Sequence, residues 1–353
     1  MKLKGIVILI ALFGSIALHA QQTARKWLIE VHGGAGDILR STTEPSLDAA
    51  YRQKLNEAII AGGGVLERGG SSVDAVETAI RILENATLFD AGKGAYFNAA
   101  GKNELDAAIM DGSTLNAGSV AAVTRAQHPI SLARAVMERS GHVMLVGKGA
   151  DEYLHSIHGE EVEPQYFFSE SKWQALVEQL KREGKPIPQP PSGTPAALTG
   201  SLGPIYRSQA GSHHYGTVGV VAMDRNGNLA AGTSTGGSQG KLPGRVGDSP
   251  IIGAGTYAAN GSCAVSATGM GEYLIRLTIA RDVCALVQYK GMRLQDAANV
   301  MIHTRLENLH SEGGLIAITP DGQAVWSYNT PGMFRARLRQ GGKVQISIYR
   351  DEP

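Results

Sequence analysis

The sequence predicts a layered α/β protein, and three observations carry that prediction. Apolar, β-branched runs alternate along the chain with helical periodicities, Gly and Pro clusters punctuate them, and the pattern extends over 353 residues that include 45 glycines. That length is ample for a large buried core. Periodicity alone allows either a doubly wound α/β sheet or a four-layer αββα sandwich. No internal repeat is visible, and both halves of the chain are expected to build one body.

Before the first element, residues 1–20 read as a secretory signal peptide. Lys2 and Lys4 precede an apolar run from Gly5 to Leu18, and the small residue Ala20 stands before Gln21. About 14 apolar residues fall short of the roughly 20 needed to span a bilayer, so a membrane anchor is not expected. No cysteine follows the run, which argues against a lipoprotein anchor. The expected location is secreted or periplasmic. The formal charge is +1, or about −1 without the two leader lysines, and no basic cluster appears elsewhere. Nucleic acid and anionic membranes are therefore poor partners.

Trp27 to Val31 is the first strand and runs into His32-Gly33-Gly34-Ala35-Gly36. Helical patterns follow at Ser46 to Ile60 and Ser72 to Leu83, a third runs from Pro129 to Glu138, and His142 to Val146 returns as a strand. Residues 186–212 hold six prolines among Gly, Ser and Thr and read as a mobile linker. Next, Gly216 to Ala222 alternates, Arg225-Asn226-Gly227 has turn chemistry, and Leu229 to Thr235 reads as the return strand of a hairpin. With a three-residue loop, Asp224 opposes Asn228 and Thr217 opposes Thr235, their Cβ atoms roughly 5 Å apart. A two-residue Asn226-Gly227 loop would shift the register by one and part the two hydroxyls.

Cys263 to Ala267 is a further strand that breaks at Thr268-Gly269-Met270-Gly271, with a helix from Glu272 to Tyr289 and another from Leu294 to His303. Leu315 to Thr319, Pro320-Asp321-Gly322 and Gln323 to Tyr328 make a second hairpin. The two cysteines, Cys263 and Cys284, would meet an oxidising compartment, which permits a disulfide. The favoured expectation is two free core thiols, since each falls in an apolar pattern. Metal-ligand spacings such as CxxC or HExxH are absent from the sequence.

The chemistry concentrates at Gly216-Thr217. Glycine tolerates backbone geometry that other residues resist, so a Gly-Thr bond at a strand start is a candidate point of self-cleavage. Cleavage would free the Thr217 α-amine. With a pKa of about 7.7 to 8, that amine can take the proton from its own hydroxyl without a histidine.

Long motifs surround this dipeptide: GTVGVVAMDRNGNLAAGTSTGG from Gly216, KLPGRVGDSPIIGAGTYA from Lys241, SATGMGE from Ser266, VHGGAG from Val31, ELDAAIMDG from Glu104 and NTPGM from Asn329. Together they resemble the plant-type L-asparaginase and isoaspartyl peptidase family of N-terminal nucleophile hydrolases, over nearly all of the chain beyond the leader. The resemblance implies the four-layer αββα sandwich and hydrolysis of the side-chain amide or isopeptide bond of L-asparagine and β-aspartyl dipeptides. It implies a chain cut into residues 21–216 and 217–353, with an (αβ)2 assembly and small-molecule substrates as the expected partners. By matching position, Thr217 resembles the nucleophile, Thr235 the threonine that positions it, and Thr268 with Gly269 the oxyanion hole. Arg245 matches the binder of the substrate α-carboxylate and Asp248 that of the α-ammonium, with Gly269 and Gly271 beside them. No catalytic cofactor is implied. The loop from Leu83 to Lys93 resembles one whose carbonyls, here those of Leu83, Glu84, Ala86, Phe89, Ala91 and Lys93, hold a structural sodium ion.

Asp90 departs from the pattern, because many relatives have asparagine there. The extra carboxylate is expected to modulate the site through the Thr217 amine, a water or the substrate range. Gly216-Thr217-Val218-Gly219 and TSTGG, in place of an Asp-Thr-Ile-Gly start and TSTNG, separate this chain from glycosylasparaginase. Glycosylasparaginase activity on the same scaffold stays the alternative within the family, and two rivals stand outside it. One is an inactive amino-acid-binding relative. The other is a serine esterase: Gly232-Thr233-Ser234-Thr235-Gly236 fits GxSxG, His32-Gly33-Gly34 resembles an oxyanion motif, and Asp248, His303 and His310 follow in order. Glycines and Pro243 after Ser234, however, forbid the helix that a nucleophile elbow requires.

Overall fold

The computed structural model describes residues 25–192, 194 and 214–353. Residues 1–20 of the expected leader, and all of the expected linker 186–212 except 186–192 and 194, lie outside that range.

Two sheets face each other. The larger runs in the order β13 (Gln345–Tyr349), β12 (Gly332–Arg339), β1 (Leu28–Gly36), β6 (Val218–Met223), β7 (Leu229–Thr235), β2 (Leu105–Asp111), β3 (Ala117–Val123), β4 (Met144–Val146), with β5 (His214–Tyr215) also paired to β1. The smaller is β11 (Ala324–Tyr328), β10 (Gly313–Ile318), β9 (Ala264–Gly269), β8 (Thr256–Ala258). Pairing is antiparallel except between β3 and β4, which rules out the doubly wound alternative.

Period-two alternation sorts the strand side chains into layers. Ile29, Val31, Val218 and Val220 pack outward under Leu55, Ile59, Val76 and Ile80 of helices α1 (Pro45–Glu67) and α2 (Ser72–Glu84). Leu28, Val221 and Met223 point the other way and meet Ala264, Ile316 and Ile318 of the smaller sheet. The next residues of that sheet, Val265, Leu315 and Ala317, turn outward again under helices α7 (Ile279–Lys290) and α8 (Leu294–Val300). The result is helix, sheet, sheet, helix. The central strands β1, β6 and β7 are buried on both faces, whereas the edge strand β4 is largely exposed.

The described residues also form the helices α3 (Pro129–Ala135), α4 (Gly147–Ser156), α5 (Glu170–Arg182) and α6 (Gly271–Leu277). Among the described residues, no helix is long and apolar enough to cross a membrane.

Several boundaries differ from expectation. Helix α1 continues past Ile60 to Glu67, through Gly62 and Gly63. A Cβ on Gly62 would lie 2.5 Å from Ile29 Cδ1 and one on Gly63 2.8 Å from Leu338 Cδ2, so close packing onto the sheet outweighs poor helix propensity. The single helix expected from Glu272 to Tyr289 is two, broken at Thr278, whose φ is +45°. Beyond the break, Ala280 and Arg281 donate their N–H groups to the carbonyls of Ala254 and Gly253, which satisfies the new helix start. The helix expected to His303 is α-helical only to Val300 and widens into a π turn at Met301–Leu306.

The expectation of free thiols is overturned. Cys263 and Cys284 are disulfide-bonded with Cα atoms 5.3 Å apart. Both are fully buried, as core residues would be, but one stands at the entrance to β9 and the other on the helix laid across it, so they face each other.

Chain order and sheet order are interleaved. Strand β1, from before residue 216, lies between β12 and β6, both from after it, and β2 pairs with β7 across the same divide. Two fragments cut at that point would share one sheet and one core.

Candidate active site

The hairpin of β6 and β7 sets the geometry. Asp224 donates its N–H to the Asn228 carbonyl at 3.0 Å, and its Oδ1 accepts the N–H groups of Asn226 and Asn228 at 2.9 Å each. This fixes the three-residue loop, so Val218 pairs with Ser234 and Met223 with Leu229. Thr217, just before β6, therefore lies opposite Thr235. Its hydroxyl donates to Thr235 Oγ1 at 3.0 Å, and both residues are buried.

Asp90 ties this pair to the preceding bond. Its backbone N–H donates to the Gly216 carbonyl oxygen at 2.9 Å, and its own carbonyl accepts from Gly236 N–H at 3.1 Å. Its Oδ1 accepts Tyr96 N–H at 2.7 Å, and its Oδ2 accepts the Thr235 hydroxyl at 3.3 Å. Burial pushes the Asp90 carboxyl up to about 6, against the opposing pull of the Lys172 ammonium, the Tyr96 N–H and Lys241. Lys172, carried by α5, is itself buried and lies 4.1 Å from the centre of the Tyr96 ring. A small cavity beside the Gly216–Thr217 bond is lined by Gly33, Asp90, Tyr96, Lys172, Gly216 and Phe334, among others.

Beneath Thr217 a polar chain joins the sheets. His32 Nε2 lies 2.9 Å from Ser266 Oγ, which is 2.7 Å from Thr233 Oγ1, and Thr256 donates to that oxygen at 2.7 Å. Burial drives the His32 imidazole down to about 3, so it is neutral at physiological pH. Gly219 makes the contact possible. A Cβ there would lie 1.9 Å from Ser266 Oγ and 2.2 Å from His32 Nε2.

Ser266 meets Gly219 and Thr233, whereas Ala264 packs with Val221 and Ala231. The next residue on that face of β9, buried Thr268, thus falls level with Thr217 and Thr235. Gly269 follows with φ +151°, and its missing Cβ leaves room for the Glu312 carbonyl. Helix α6 then starts at Gly271.

Arg245 and Asp248 converge on this turn. A Cβ on Gly271 would lie 2.9 Å from Arg245 Nη2 and 3.0 Å from Asp248 Oδ1. Arg245 is bound in parallel by Glu272, Nε to Oε1 at 2.9 Å and Nη2 to Oε2 at 3.0 Å. Asp248 is buried, its Oδ2 has no hydrogen-bond partner among the described residues, and desolvation pushes its carboxyl up to about 7 despite its own backbone N–H and Arg245. A buried carboxylate oxygen without a donor beside an arginine is a site that favours a cationic group.

Ser234 sits apart. It points to the helix side of the sheet and donates to Glu84 Oε1 at 2.7 Å, an oxygen that also accepts Ile130 N–H at 3.0 Å. His303 instead pairs with Glu307, and His32 is engaged by Ser266. Among the described residues, no histidine is hydrogen-bonded to Ser234, whose hydroxyl is held by Glu84.

In the loop from Leu83 to Lys93, a Cβ on Gly94 would lie 2.0 Å from the Phe89 carbonyl oxygen and 2.7 Å from that of Ala86. One on Gly92 would lie 2.4 Å from that of Glu84. Three of the six expected carbonyls thus crowd one turn. Those of Leu83 and Ala91 instead accept the N–H groups of Ala86 and Gly94.

Residues 25–348 match the family described as Asparaginase. The chain belongs to that family. It is 43% identical to an isoaspartyl peptidase of Salmonella typhimurium over 326 residues, which is 92% of this chain and 99% of the relative. An isoaspartyl peptidase of Escherichia coli is 42% identical over 93% of this chain and 97% of its own. A probable isoaspartyl peptidase/L-asparaginase 2 of Arabidopsis thaliana is 40% identical over 92% and 99%.

Sequence reasoning picked out the residues that this Asparaginase-family chain brings together at the hairpin and the α6 turn, but it missed their supports. Glu272, Lys172, Ser266 and Thr256 were assigned no role, and His32 and Thr233 entered only through the motifs of the esterase rival. Only Glu272 carried a signal, a carboxylate at the start of a helix beside the turn that receives Arg245.

Proposed function

We propose that this chain is a threonine amidohydrolase that cuts itself between Gly216 and Thr217 and then hydrolyses the side-chain amide of L-asparagine and β-aspartyl dipeptides. The observation that carries the reading is the pairing at that bond: the Thr217 hydroxyl is hydrogen-bonded to Thr235, and the Gly216 carbonyl to the Asp90 N–H. In self-cleavage the Thr217 oxygen attacks the Gly216 carbon, and the Asp90 N–H faces the oxygen on which negative charge develops. The ester so formed is hydrolysed by water, which leaves the Gly216 carboxylate and a free Thr217 amine. In turnover that amine is the base for its own hydroxyl.

Thr268 and Gly269 supply the donors to the substrate oxyanion. Arg245 takes the α-carboxylate and Asp248 the α-ammonium, for which an arginine beside a buried, under-satisfied carboxylate is suited. The names of the relatives support the aspartyl substrate class. Interleaving of the strands supports a mature protein of two associated fragments, residues 21–216 and 217–353, and we extend this to an (αβ)2 assembly. The leader supports a secreted or periplasmic location. The crowding of the Glu84, Ala86 and Phe89 carbonyls supports a structural sodium ion in that loop, which would brace Asp90 without entering the chemistry.

Mass analysis of the purified protein, with an assay on β-aspartyl-leucine, tests the proposal. Two polypeptides split between Gly216 and Thr217 are expected, with both cleavage and hydrolysis lost in Thr217→Ala. A single intact chain of full activity would overturn it.

A further inference from the structure

We propose that Glu272 sets the charge pattern this site accepts: by offsetting the Arg245 guanidinium it makes a carboxylate alone a weak ligand, and an α-amino acid, which also brings an ammonium to Asp248, a strong one. This deepens the reading of Arg245 and Asp248 as the contacts to the substrate α-carboxylate and α-ammonium, and rests on it. Glu272 binds one edge of the guanidinium. Nε donates to Oε1 at 2.9 Å and Nη2 to Oε2 at 3.0 Å, which uses two of the five N–H groups. Among the described residues, Nη1 has no hydrogen-bond partner, so the edge formed by Nη1 and the second Nη2 hydrogen is free for another carboxylate. That edge is flanked by glycine. A Cβ on Gly247 would lie 2.8 Å from Nη1, and one on Gly237 would lie 3.3 Å from it.

The pair is lopsided. The Arg245 side chain is 17% exposed and that of Glu272 59%, so the cation is sunk in the site and the anion closes it from the solvent side. Contact with Arg245 holds the Glu272 carboxyl below the usual carboxylate range, and it is ionised at neutral pH. A carboxylate that enters at the free edge therefore meets a guanidinium whose charge is already offset, and gains little. An α-amino acid gains a second contact. Asp248 is adjacent, since a Cβ on Gly271 would lie 2.9 Å from Arg245 Nη2 and 3.0 Å from Asp248 Oδ1, and its buried Oδ2 has no hydrogen-bond partner among the described residues. Two further charges lie close to Arg245, Lys241, whose Nζ is 3.0 Å from the Cβ position on Gly237, and Asp106. Both stay in place when Glu272 alone is changed, so they cancel in the comparison. Glu272 is thus a specificity-determining residue that acts through Arg245.

The test measures inhibition of β-aspartyl-leucine hydrolysis by L-aspartate and by succinate, the same molecule without the α-ammonium, in wild type, Glu272→Gln and Glu272→Asp. The ratio of the two inhibition constants reports the preference for the amino acid. Glu272→Gln, close in shape but uncharged, should lower that preference by roughly threefold to tenfold. Glu272→Asp keeps the charge and should hold the ratio within about twofold of wild type, whatever happens to overall affinity. An unchanged ratio in Glu272→Gln would overturn the proposal. So would a ratio that falls as far in Glu272→Asp as in Glu272→Gln, because then the shape of the pair counts and its charge does not. If Glu272→Gln does not fold, Glu272→Ala takes its place with the same expected ratio. Failure of the reading beneath looks different: an Arg245→Ala enzyme that binds L-aspartate as tightly as wild type takes Arg245 out of the substrate site, whatever the Glu272 variants do.

Discussion

The hydroxyl oxygens of Thr217 and Thr235 face each other at 3.0 Å across the hairpin, while Ser234, one residue away, turns through the sheet to bind Glu84. Neighbouring hydroxyls on one strand thus serve different layers. Thr235→Ala should reduce hydrolysis of β-aspartyl-leucine by at least about tenfold, whereas Ser234→Ala should retain most activity. An esterase would rank the two variants the other way, so a side-by-side assay separates the reaction classes.

The hairpin was legible because its information is local. Asp224, Asn226, Gly227 and Asn228 fix the turn, and the turn fixes every pair up to Thr217 and Thr235. Asp90 was visible only as a departure from a resemblance. Its hold on Gly216, Gly236, Tyr96 and Thr235 arises when the Leu83 to Lys93 loop folds against the hairpin, which no spacing encodes. The polar chain under the site draws one residue from each of β1, β7, β8 and β9, so its members share no local pattern. Periodicity also left the sheet order open. Strands buried on both faces look alike whether their neighbours run parallel or antiparallel.

Recognition can be tested apart from maturation. Loss of a charge-assisted contact costs about 1.5 to 3 kcal/mol, so Arg245→Ala should lower kcat/KM on β-aspartyl dipeptides by roughly one to two orders of magnitude. Self-cleavage uses neither Arg245 nor Asp248, and the variant should still mature. Arg245→Lys should recover only part, because an ammonium cannot match the parallel contact that the guanidinium makes with Glu272. A mature Arg245→Ala enzyme of unchanged efficiency would remove Arg245 from the substrate site.

The disulfide is a stability device remote from the chemistry. Cys263 and Cys284 lie in the outer core of the smaller sheet, whereas Thr217 opens between the sheets. Their separation in sequence is 21, and a loop of that size corresponds to about 3 kcal/mol on a chain-entropy estimate. Cys284→Ala, compared with its parent under non-reducing conditions, should melt several degrees lower and keep kcat near the parent value at 25 °C. Equal melting temperatures would show that the bond does not form in the folded protein.

Glu30 gives a pH-linked test of the core between the sheets. It stands opposite Arg337 in the pairing of β1 with β12, fully buried, with its Oε1 2.5 Å from Arg337 Nε. Burial pushes its carboxyl from 4.5 up to about 7 even though Arg337 pulls it down. A folded-state pKa above the unfolded one means that the folded chain holds this proton more tightly. The stabilisation is therefore full below about pH 4.5 and is lost as pH rises through 7, with a slope of at most about 1.4 kcal/mol per pH unit. In the uncut Thr217→Ala background, where unfolding stays unimolecular, urea denaturation between pH 5 and 8 should show a steeper loss of stability with Glu30 than with Glu30→Gln. Arg337→Met, which removes the opposing charge, should extend that loss to higher pH. Parallel pH profiles for Glu30 and Glu30→Gln would mean that the carboxyl titrates as it does in the unfolded chain.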